Sequence, residues 1–99
     1  MKGGNMAVRG KVNNERDIRH RLADLLDRVL VRAENGTAVQ GELTALSAAP
    51  ENAEWSNQIA RAMGVVGLVN ASADGTAARN DAFAAVTRLK QELRIAAAN

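Results

Sequence analysis

The chain has 99 residues, no cysteine and a formal net charge of +2, so one domain is expected and disulfides and thiolate metal sites are excluded. Trp55 and Phe83 are the only aromatic residues, which leaves leucine, valine, isoleucine and abundant alanine to fill a core. Alanine is the best helix former, whereas strands favour β-branched and aromatic residues, so the composition predicts closely packed helices.

Residues 1–13, MKGGNMAVRGKVN, hold three glycines and no period and read as a flexible basic arm, with Met6 as an alternative start. Its cations, Lys2, Arg9 and Lys11, face no acid in the first 14 residues. They could touch nucleic acid or an acidic partner, or simply be solvated, and no aromatic residue is there for base stacking. Behind Lys2 there is no apolar core of a secretory signal, and no apolar run reaches the ~18–20 residues of a membrane span. A soluble cytoplasmic protein is expected, with no membrane partner.

The first helix is predicted over about residues 14–34. Asn13 or Asn14 can cap it, and Glu15 and Asp17 suit the positive end of its dipole. Ile18, Leu22, Leu25, Leu26, Val29, Leu30 and Ala33 recur at helical steps. Glu15–Arg19, Asp17–Arg21 and Asp24–Arg28 have i,i+4 spacing on the other face. Gly36 suits a left-handed C-terminal position. Thr37 and Gln40 have capping-box spacing for a second helix over 38–48, with Val39, Leu43 and Leu46 inward, ended by Pro50. A third helix over 52–72 carries Trp55, Ile59, Met63, Val66 and Val69 in one stripe. ADGT then forms a turn with Asp74 and Thr76 as candidate caps. The last helix, 76–97, carries Phe83, Val86, Leu89, Leu93 and Ala96, with Arg88 spaced to pair with Glu92. No stretch alternates with period two. The expected fold is all-α, a compact bundle of about four helices whose short loops imply antiparallel neighbours.

Within the third helix, Ile59, Ala60, Met63, Gly64 and Val65 match the apolar, small, apolar, Gly, apolar order of a supporting helix and turn. QIARAMGV resembles the front half of bacterial helix-turn-helix regulators. The resemblance implies DNA binding through residues 56–72, with Arg61 and the arm on phosphates. The back half departs from that pattern. Asn70 stands where an anchoring Val or Ile is usual, and Val66, Gly67 and Leu68 offer no hydrogen bond to a base edge. The alternative is one helix through RAMGVVGLVNAS, with Gly64 marking a bend or a close helix contact.

Other chemistry is thinly supplied. His20, Asp24 and Asp27 share a helical face, which reads either as a metal site or as a solvated face with ion pairs. With one histidine and no cysteine, neither a nucleophile–base pair nor a phosphate-cradling glycine loop is evident, so no enzyme, metal or cofactor is expected. Trp55 suits a core anchor or an interface hot spot. Ala77, Ala84 and Ala85 leave sides of the last helix smooth, as a central helix or a dimer contact would require. The expected function is a small non-enzymatic interaction module, binding a protein partner or itself. A degenerate helix-turn-helix regulator is the alternative. The arginine- and alanine-rich composition is associated with bacterial or phage sources.

Overall fold

The structure, a computed structural model, describes the backbone of residues 2–98 and the side chains of residues 15–98. The arm expected at residues 1–13, with Lys2, Arg9 and Lys11, lies outside the residues whose side chains are described. Four α-helices are present: α1 Lys2–Val31, α2 Gly36–Ala48, α3 Ser56–Ala71 and α4 Ala77–Ala98. Short 3-10 turns at Ala33–Asn35 and Pro50–Trp55 join them. No strand occurs among the described residues. The fold is the all-α bundle that the composition implies.

The core follows the helical stripes. Leu22, Leu26 and Val29 of α1 are fully buried, with Val39 and Leu43 of α2, Ile59, Val66 and Val69 of α3, and Val86 of α4. On α4 the buried line is Ala82, Val86, Leu89, Leu93 and Ala97, turned slightly from the expected one. Ala96 is half-buried, and so is Phe83, which stays at the edge with the Arg79 guanidinium 5.9 Å above its ring. Polar contacts set the pairing. Arg19 Nη1 reaches Ala96 O and Lys90 Nζ reaches Asp27, so α1 and α4 run antiparallel. Gln40 Nε2 donates to Met63 O at 3.1 Å and Asn70 Nδ2 to Gly36 O at 3.2 Å, so α2 and α3 do likewise.

Helix ends correct several local expectations. Gly36 is not a left-handed cap: it opens α2 with φ −58 and ψ −37. Asn35 before it is also helical, so the chain passes directly from turn to helix and Thr37 never occupies a capping position. Gln40 therefore forms no capping box and serves the α2–α3 seam instead. What glycine provides at position 36 is close approach, because a Cβ there would run into the Asn70 side chain. The expected 52–72 helix is divided by the Pro50–Trp55 turn; Pro50 sits at its first turn, where its missing N–H does no harm. Of the two candidate caps before α4, Thr76 performs the role, its Oγ1 accepting from Arg79 N at 3.1 Å.

Candidate interaction surface

The helix-turn-helix geometry is absent. α3 runs unbroken from Ser56 to Ala71, through Gly64 and Leu68, so no turn and no second helix arise within residues 56–71. Magnitudes explain the outcome. Each mid-helix glycine costs about 1 kcal/mol relative to alanine. Burying a valine contributes about 1.5–3 kcal/mol, and both Val66 and Val69 are fully buried on the same face as Ile59 and Ala62. Breaking the helix at Gly64 would withdraw both valines from the core. Nor does Gly64 mark a close contact within the chain: a Cβ there would meet nothing within 4 Å. Arg61 pairs with Glu92 at 3.1 Å rather than standing free for phosphate.

The face carrying His20, Asp24 and Asp27 is not simply solvated; it joins α1 to α4. Lys90 Nζ contacts Asp27 Oδ1 at 2.8 Å, and Arg94 Nη2 contacts Asp24 Oδ1 at 2.7 Å and Asp27 Oδ2 at 3.2 Å. Arg94 Nη1 lies 3.1 Å from His20 Nδ1. Glu15–Arg19 forms as expected from spacing, but Asp24 takes Arg94, Arg28 takes Glu42 and Glu92 takes Arg61. Cations thus occupy both aspartates, and among the described residues no three His, Cys, Asp or Glu side chains converge as a metal site. The Lys90 hydrogen bond, helped by Arg94, holds the Asp27 carboxyl below its ordinary 3.8, although partial burial pulls the other way. Arg94 is raised by its bond to Asp24. A depressed carboxyl adds stability above its unfolded pKa that is lost as pH falls through the folded value. Asp27→Asn is therefore expected to flatten the acid limb of a stability–pH curve below about pH 4. The effect is modest, because Asp27 is 43% exposed. Urea melts at several pH values check it.

Trp55 is buried at 7% exposure and belongs to the core, not to an exposed interface. With Ile18 and Leu46 it helps line a groove of about 460 Å³ between α1 and the Pro50–Trp55 turn, where Asp17, Arg21 and Glu51 also stand.

The outward face of α3 and α4 differs from these filled regions. Leu68 is 55% exposed and Ile95 is 64% exposed. Ala77 and Ala84 are exposed and Ala85 is half-buried. Gly64 and Val65 of α3 and Ala85, Arg88 and Leu89 of α4 line a groove of about 270 Å³. The Arg61–Glu92 bridge sets the antiparallel register. Two turns along each helix from that bridge, Leu68 stands level with Ala85. Asp81 and Arg88 flank the alanines on the exposed side of α4. The pair expected between Arg88 and Glu92 is not formed, and neither Asp81 nor Arg88 has an ion partner among the described residues. Alanine spacing signalled this face in the sequence. Leu68 went unnoticed because the recognition-helix pattern absorbed it.

No helix among the described residues is long and apolar enough to cross a membrane. No protein-family model, no curated protein and no solved structure matches the chain.

Proposed function

We propose that the protein is a non-enzymatic interaction module whose working surface is the outward face of α3 and α4, and that it takes a partner helix there. The observation that carries this reading is Leu68, 55% exposed beside a glycine with open space around it and level with Ala85. A half-exposed leucine alone is ordinary. Here it lies one helical turn beyond Gly64 and Val65, which with Ala85 and Leu89 form the uncharged part of the groove lining. Small residues let a second helix axis approach to about 8 Å, the near end of the usual range. Gly64 lowers the helix propensity of α3 with no compensating contact inside the chain, and a helix from outside supplies one.

Leu68→Asp tests the reading. The side chain is exposed, so the thermal midpoint is expected to shift little, while complexes detected by sedimentation of the wild type are lost. Complexes that persist in Leu68→Asp overturn the assignment. So does wild-type binding to random-sequence duplex at low salt that weakens steeply as salt is added, the signature of phosphate neutralisation.

A further inference from the structure

We infer that the partner helix is α4 of a second copy of this chain, laid antiparallel across a two-fold axis at Ala84 and Ala85. The inference rests on the interaction-surface reading and names its occupant. Asp81 and Arg88 are both exposed and without an ion partner among the described residues. They lie on one face of α4, two turns apart, or about 10 Å at 1.5 Å per residue. Ala84 and Ala85 stand midway between them. In a closed two-fold contact the same patch meets itself. An antiparallel α4 pair centred there brings Asp81 opposite the partner's Arg88 and Arg88 opposite the partner's Asp81. The two charges that have no ion partner among the described residues are both matched by this one operation, which makes two ion pairs. A parallel two-fold pair would set Asp81 against the partner's Asp81 and Arg88 against the partner's Arg88, two like-charge contacts that oppose association. Charge therefore selects the antiparallel arrangement.

The apolar parts agree with the same axis. Leu68, level with Ala85, comes close to the two-fold axis in both copies and fills the space left by the alanines and Gly64. Ile95, three turns beyond Ala84 and 64% exposed, lies outside the two ion pairs, level with the turn that precedes α4 in the second copy. The contact thus has an apolar centre of leucine, alanine and glycine between two ion pairs, the arrangement of core and rim usual at protein interfaces.

Charge exchange within the full chain tests the register. Asp81→Arg and Arg88→Asp, made singly, each place like charges together twice and are expected to weaken dimerisation by about tenfold or more. The double variant Asp81→Arg/Arg88→Asp restores opposite signs and is expected to recover most of the wild-type affinity in sedimentation equilibrium. Circular dichroism confirms that all three remain helical. Dimerisation lost in both single variants and recovered in the double supports the proposal. Dimerisation unaffected by the three variants but lost in Leu68→Asp overturns the register and leaves the surface assignment standing. A wild type that stays monomeric into the high micromolar range overturns the second copy as occupant.

Discussion

Replacing Trp55 by alanine is expected to destabilise the fold by about 3–5 kcal/mol, the range for truncating a buried large aromatic side chain. Trp55 ends the Pro50–Trp55 turn immediately before α3, and it is in the core despite lying at a junction between elements. Its ring occupies a volume that small neighbours cannot refill, because Phe83 is the only other aromatic residue and lies at the edge beneath Arg79. Domains of this size have stabilities of about 5–15 kcal/mol, so the variant loses a large part of the total. For a chain of about 100 residues the thermal midpoint should fall by roughly 15 °C or more. Thermal melting followed by circular dichroism measures it, since the substitution removes the only tryptophan. A shift of a degree or two would mean that Trp55 is not a core residue.

Leu26→Ala is expected to cost about 2–5 kcal/mol. Leu26 is fully buried on α1 between Leu22 and Val29, both also fully buried, and a well-packed interior relaxes only partly around a lost isobutyl group. Replacing Leu30, half-buried one residue after Val29, should cost clearly less. The comparison isolates burial from helix propensity, because the two substitutions are chemically the same and both lie on α1. Tryptophan fluorescence in urea reads both, with Trp55 as the reporter. Equal losses at Leu26 and Leu30 would contradict the burial pattern.

The α-helical fold was legible because its signal is local. Apolar residues at three- and four-residue steps identify the buried side of a helix without reference to any other element, and Leu22, Leu26, Val29, Ile59, Val66 and Val86 are where that period puts them. Pairing across helices is not local. The i,i+4 rule finds Asp24 beside Arg28, yet it says nothing of a facing helix. Arg94 takes Asp24, and Glu42 takes Arg28. Gly36 shows the same limit: its position after ENG suits a left-handed cap, but the reason for a glycine is Asn70, brought against it by the packing of α2 on α3. The phrase QIARAMGV is ambiguous for a related reason. A short apolar-small-apolar pattern serves a supporting helix and a continuous core helix equally, and the buried Val66 and Val69 beyond it decide between them.

The candidate surface was legible in part. The alanines of α4 are visible in the sequence, but their exposure depends on which side α1 and α3 cover. Asp81 and Arg88 become informative only once Glu92 is found paired with Arg61, because Arg88 then has no ion partner among the described residues.

The central claim is that this outward face is where the protein meets its partner, a second copy. Because the chain contains no cysteine, one introduced thiol per molecule reports proximity between copies without competing reactions. Ala84→Cys, placed at the two-fold axis, should give a covalent dimer on mild oxidation at protein concentrations where Ser47→Cys, exposed on α2, remains monomeric. Equal cross-linking of the two variants, or none from Ala84→Cys, would contradict the account.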